Sequence, residues 1–173
     1  MTSTLAQINA MPLAAFVEAF GGVYEHSPWV AQKAALSRPF ADFGAMCQAF
    51  SAAMHGADVA AQYALVRAHP ELGHRLGVDA GLTAASAQEQ GGAGLDRLTP
   101  EEYARFRTLN DAYTQKFNMP FVICVRRVGG QVKDVIAQAM EQRLASTPQA
   151  ELAEALRQID AIAALRLHDK VVA

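Results

Sequence analysis

Thiols are scarce in this chain. Only Cys47 and Cys124 occur among 173 residues, far apart and in no CxxC pair. Neither a disulfide framework nor a cysteine-rich zinc site is expected; free cysteines of this kind usually sit buried as small apolar groups. Long apolar runs are missing as well. Nothing approaches the roughly 18 residues that a membrane-crossing helix requires, so no membrane contact is expected. Basic blocks are absent, and 15 Lys+Arg against 17 Asp+Glu leave a formal net charge of −2. A nucleic-acid partner is disfavoured, because such binding draws its affinity mostly from neutralised phosphates. The opening MTSTLAQINAMPLAAF lacks a basic start followed by an apolar block, and the closing Lys170-Val171-Val172-Ala173 is not a peroxisomal Ser-Lys-Leu address. Cytoplasm is the expected compartment. β-branched residues are few beside the many alanines, which favours helix.

What is present is a core-forming composition, 51% hydrophobic and 18% charged. The length suits one domain spanning 1–173. Helix ends can be read from caps and prolines. Pro12 opens a short helix that Gly21-Gly22 ends, and Ser27-Pro28 sets a cap before a first-turn proline. Asp42 caps a helix with Phe43, Met46, Phe50 and Met54 on one face. Asp58 caps the next, with Val59, Tyr63 and Val66 inward; it must end near His69, because Pro70 disfavours helical geometry in the residue before it. Thr99-Pro100-Glu101-Glu102 is a capping box, opening a helix that carries Tyr103, Phe106, Leu109, Tyr113 and Phe117 and stops at Asn118 and Pro120. The run FVICV, 121–125, has no evident partner strand and reads as a buried extended segment. Val132, Val135, Ile136, Ala139 and Leu144 mark another helix. Thr147-Pro148 opens the last, with Leu152, Leu156, Ile159, Ile162 and Leu165 inward. The expected fold is all-α, a single-domain bundle of about seven or eight helices without significant sheet.

Three places break the core-and-surface pattern. In AHPELG, 68–73, a histidine is fixed past a helix end by a proline; histidine moves protons near neutral pH, and also suits a helix C-terminus for electrostatic reasons. In SAQEQGGAG, 86–94, Ser86 and Glu89 have capping-box spacing, while the three glycines suggest a shaped turn. In the last helix Arg166 sits within an aliphatic stripe. It either snorkels to water or holds an anionic ligand with its planar fork of donors. Parts for other chemistries are lacking. His69-Pro70-Glu71 has no Pro-Cys-x-x-Cys to complete a zinc deaminase. His69 and His74 are five apart rather than four, so they do not share a helix face as zinc ligands do, and no metal is expected. No GxSxG elbow, P-loop or GxGxxG follows a strand.

AHPELG, SAQEQGGAGL, LNDAYTQKFNMPFVICV and AALRLH, with FVEAFGGVYEHSPWV and Arg38-Pro39-Phe40 before them, resemble the 2-oxo-4-hydroxy-4-carboxy-5-ureidoimidazoline (OHCU) decarboxylases. The resemblance runs in order from about residue 12 to residue 171. It implies an all-helical, usually dimeric enzyme without metal or organic cofactor that converts OHCU to (S)-allantoin and carbon dioxide in urate degradation. It implies His69 as the catalytic acid/base, with Glu89 orienting it or holding the ureido group. Pro70 would line the pocket, and Ser86, Ala87, Gln88 and Gln90 would bind substrate. The backbone of Phe121, Val122, Ile123, Cys124 and Val125 would fix the ring, and Arg166 would anchor an anionic oxygen. The expected partners are the small substrate and a second copy of the chain. This sequence departs from the family's habits in Asn118-Met119-Pro120, where Gly-x-Pro is common, and in Gly73, where alanine is common; Asn tolerates left-handed geometry, so the turn at 118 is expected to survive. The competing reading is a non-catalytic helical ligand-binding or interaction module, with His69 and Arg166 as ordinary surface residues.

Overall fold

The computed structural model describes residues 2–73 and 82–172. Nine α-helices occur among these residues, joined by two 3-10 turns and one pair of two-residue strands. They group into two compact units, one of Met1–Ala68 with Ile159–Ala173 and the other of His69–Gln158. No helix among the described residues is long and apolar enough to cross a membrane.

The first unit begins with β1 (Ser3–Thr4), which pairs in parallel with β2 (Val171–Val172). This small sheet has no counterpart in the sequence expectations. Helices α1 (Leu5–Ala10), α2 (Leu13–Phe20), α3 (Pro28–Ala34), α4 (Phe43–His55) and α5 (Val59–Arg67) follow. Their starts are local decisions: the Asp42 and Asp58 carboxylates accept the N–H of Ala45 and Ala61, each at 2.7 Å. Ser27 occupies the cap position of α3 without a side-chain bond to it. Phe16, Phe20 and Phe50 form an aromatic core with ring centroids 4.9–6.5 Å apart, and Tyr24 stacks on Phe50. Val59 is exposed rather than inward, because it lies in the first turn; Leu65 and Val66 carry the buried face.

The second unit holds α6 (Ala84–Gly92), α7 (Pro100–Phe117), α8 (Val132–Arg143) and the first half of α9 (Pro148–His168), whose remainder belongs to the first unit. The capping box of α7 forms as expected, with Thr99 N–H donating to Glu102 and Glu102 N–H to Thr99 Oγ1. Asn118 ends α7 in left-handed geometry, φ +54°, so the turn survives without glycine. The apolar run at 121–125 is buried at Phe121, Val122, Cys124 and Val125 and pairs with no strand among the described residues. On α8 the buried residues are Ile136, Ala137 and Met140; Val135 faces water.

Candidate active site

Helix α5 ends at Arg67, and the chain enters the second unit at His69. His69 is only 7% exposed, and its Nε2 is sealed from water. A surface histidine at a helix terminus would be solvated, so that reading fails for His69.

The residues after His69 are tied down one by one. Gln90, on α6, accepts the Gly73 N–H through Oε1 and donates to the Glu71 carbonyl through Nε2, both at 3.2 Å. Asn110, on α7, donates to the Leu72 carbonyl at 2.9 Å. Its Oδ1 is buried without a hydrogen-bond partner among the described residues. An aliphatic residue would avoid that cost, so the position serves the donor. The Glu71 carboxylate accepts Arg107 Nη2 at 2.6 Å and Thr114 Oγ1 at 3.2 Å, both from α7. Gly73 has φ +76°, and a Cβ there would stand 2.9 Å from Leu98 Cδ1. Backbone and space together favour glycine at this point.

Helix α6 carries Gln90 and so supplies the brace of this loop. Its cap is Thr83, whose Oγ1 accepts the Ser86 N–H at 3.3 Å. The Ser86–Glu89 spacing is therefore not a capping box; Ser86 lies inside the first turn. Ser86 and Gln90 are buried, Ala87 and Glu89 half-buried, and Gln88 exposed. Residues three and four apart share a helix face, which groups Ser86 with Glu89 and Gln90 and turns Gln88 away. Of the glycines that follow, only Gly94 takes positive φ, at +72°, where Leu95 N–H closes the turn on the Gln90 carbonyl.

The 3-10 turn Val125–Arg127 packs against α6. Burial pushes the Cys124 thiol upward; the Arg127 charge opposes this and the Glu89 carboxylate adds to it. Glu89 and Arg127 thus lie within electrostatic reach of Cys124. Part of that segment's backbone is already used: Cys124 N–H donates to Gln158 Oε1 at 3.0 Å, Cys124 C=O accepts Arg127 N–H, and Val122 C=O accepts Arg143 Nη1 at 2.8 Å.

Arg166 belongs to the first unit. It is 6% exposed and does not snorkel to water. Its Nη1 donates to Glu25 Oε2 at 2.9 Å and to the Val23 carbonyl at 3.3 Å. Sequence reasoning did not single out Glu25; its one signal was a place in the FVEAFGGVYEHSPWV block. Nor did it find Arg107, Asn110, Arg143 or Gln158, whose partners are remote in the chain. No group of three or more His, Cys, Asp or Glu suited to a metal ion occurs among the described residues. His74 lies outside them.

A family model described as OHCU decarboxylase matches residues 9–168, reaching into both units. The 2-oxo-4-hydroxy-4-carboxy-5-ureidoimidazoline decarboxylase of Haloferax volcanii is 41% identical over 167 residues, covering 96% of this chain and 95% of its own. That of Bos taurus is 35% identical over 165 residues, 94% of each. A crystal structure of (S)-allantoin synthase aligns with a TM-score of 0.74 and 27% identity over 98% of this chain and 54% of that one. A crystal structure of OHCU decarboxylase in the presence of (S)-allantoin, at 19% identity and a TM-score of 0.64, shares the fold over 81% of this chain and 88% of its own. With a match of this length, the chain belongs to the OHCU decarboxylase family.

Proposed function

We propose that this protein decarboxylates OHCU to (S)-allantoin, releasing carbon dioxide, as a step of urate degradation. Family membership along residues 9–168 supports the reaction. The observation that carries the chemistry is a buried His69 on a loop braced by α6 and α7. Catalysis rewards groups held in place before the substrate arrives.

Loss of the carboxylate leaves an electron pair that the substrate's conjugated ring accepts, so the ring serves as its own electron sink. His69 takes a proton from the substrate hydroxyl or an adjacent nitrogen as carbon dioxide departs. It then returns a proton to the resulting carbanion on one face, which sets the hand of the product. Glu89 orients His69 or holds the ureido group. Ser86 hydrogen-bonds an amide-like edge, Pro70 lines the pocket, and backbone groups of 121–125 fix the ring. Gln90 is already engaged by Gly73 and Glu71; an amide retains a second donor and a second acceptor site for a ligand. The resemblance assigns Arg166 to an anionic oxygen. On this reading the protein works as a homodimer in the cytoplasm, which sedimentation and fractionation would check.

The decisive experiment follows freshly generated OHCU by circular dichroism. Spontaneous decay yields racemic allantoin, whereas the protein should yield one hand. His69→Ala is expected to lose about 10²–10⁴ in rate, the usual worth of a general acid–base group. Racemic product from the parent protein would overturn the activity; near-normal (S)-allantoin production by His69→Ala would overturn the assignment of the base.

A further inference from the structure

In the second unit, Arg143 at the end of α8 and Glu151 in the first turn of α9 form an ion pair whose side chains are 15% and 2% exposed. Burying two charges gives little net stability by itself, since desolvation offsets their attraction. This pair has a further use. Arg143 Nε donates to Glu151 Oε1 at 2.7 Å, and Nη2 reaches the same oxygen. Tyr113 Oη donates to it too; burial, with that bond, pushes the phenol well above its ordinary range and keeps it a donor. So held, the guanidinium turns its remaining edge to the segment 121–125. Nη1 donates to the Val122 carbonyl at 2.8 Å, and the guanidinium carbon stands 4.3 Å from the centre of the Phe121 ring.

A second anchor grips the same segment two residues on. Gln158 Oε1 accepts the Cys124 N–H at 3.0 Å, while its Nε2 donates to Glu154 Oε1 at 2.8 Å. Glu154 is fixed in turn by Arg157. Residues 120–124 lie outside any helix or strand, so no ladder holds their backbone polar groups. Side chains from α8 and α9 do this instead, at residues 122 and 124. Ile123 lies between the two anchors, and Val125 follows them.

We propose that Arg143 and Gln158 are positioning residues, holding 121–125 in the conformation that presents the backbone of Ile123 and the N–H of Val125, whose carbonyl already accepts the Val128 N–H at 3.1 Å, to the substrate ring. The inference rests on the reading of that segment as substrate-binding. A buried arginine kept only for stability could be exchanged with its partners for apolar residues; one kept for position could not.

The test uses the full chain in two forms. Arg143→Met with Glu151→Leu and Tyr113→Phe replaces the charged cluster by apolar groups of similar size, an exchange that often leaves stability unchanged. Gln158→Leu removes the second anchor, and with it a bond to Glu154, while leaving the buried Arg143–Glu151 pair intact. Each is measured for kcat, KM and the hand of the allantoin formed, and for the alkylation rate of Cys124 resolved by peptide mass spectrometry. Loss of one backbone anchor should raise KM about tenfold while kcat changes less, the scale of one hydrogen bond. Cys124, 2% exposed in the parent, should be alkylated faster in both variants. A folded variant with parental KM and parental Cys124 protection would overturn the proposal. If the triple variant does not fold, Gln158→Leu and Arg143→Lys, which keeps the charge but not the fork, decide by the same readouts. If the parent makes no (S)-allantoin, the functional reading fails alone, and Cys124 protection still decides whether the anchors order the segment.

Discussion

Replacing Gln90 by leucine should separate bracing from substrate contact. The side chains are of similar size, and Gln90 is 6% exposed. The change removes both bonds to the His69 loop, at Gly73 N–H and Glu71 C=O. A neutral hydrogen bond contributes about 1 kcal/mol net, and a buried backbone group left unsatisfied costs about 1–3 kcal/mol. Both bonds measure 3.2 Å, the long end of the usual range, and the leucine regains some apolar contact. The expected loss is about 2–4 kcal/mol, or roughly 5–15 °C in Tm for a chain of this length. Urea unfolding and a thermal scan would measure it. Because His69 rides on the braced loop, kcat should fall as well. Gln90→Glu should lie between, keeping an acceptor for Gly73 while turning a carboxylate on the Glu71 carbonyl. A Gln90→Leu protein as stable as the parent to within about 0.5 kcal/mol, with only KM raised, would refute the brace and return Gln90 to a pure substrate contact.

Three further outcomes are expected. Tyr24 and Tyr113 are held protonated well above the ordinary phenol range, by burial first and then by Asp160 and Glu151 respectively. The folded state therefore binds these protons more tightly than the unfolded one. The stability they confer is complete below the unfolded phenol value and drains away as pH rises past it. In an alkaline titration two of the four tyrosines should ionise only as circular dichroism reports unfolding; smooth ionisation of all four in folded protein would contradict this. At the start of α7, hydrogen bonds from Lys133 and the Thr99 N–H hold Glu102 below the usual carboxylate range. Its support is present at neutral pH and lost as pH falls through that lowered value. Thr99→Ala should cost about 1 kcal/mol, and a stability gap between Glu102→Gln and the parent that persists unchanged into acid would count against the capping box. Arg166→Lys keeps the charge but not the planar fork; its KM for OHCU should rise, and an unchanged KM would remove Arg166 from substrate binding.

Much of the local structure was legible in the residues. Asp42, Asp58 and Thr99 each cap a helix through a residue three positions away, Pro70 forces the chain out of α5, and Asn118 tolerates left-handed backbone. The errors were local too. Thr83, not Ser86, caps α6; both residue types make good caps, and only the backbone's path decides which one does. Val59 was placed inward, but it is exposed, since periodicity names a face without saying how far along the helix that face is covered.

The blocks around His69 and 86–90 marked the family before any fold was in view, because each is contiguous in the chain. The contacts that hold the candidate residues within each unit were decided only in three dimensions. Gln90 meets Gly73 from 17 residues away, Asn110 meets Leu72 from 38, and Glu25 meets Arg166 from 141. A cap depends on a turn of the backbone and can be read from neighbours. A brace depends on which helices pack together, and that is set by the burial of whole faces rather than by any short run of residues.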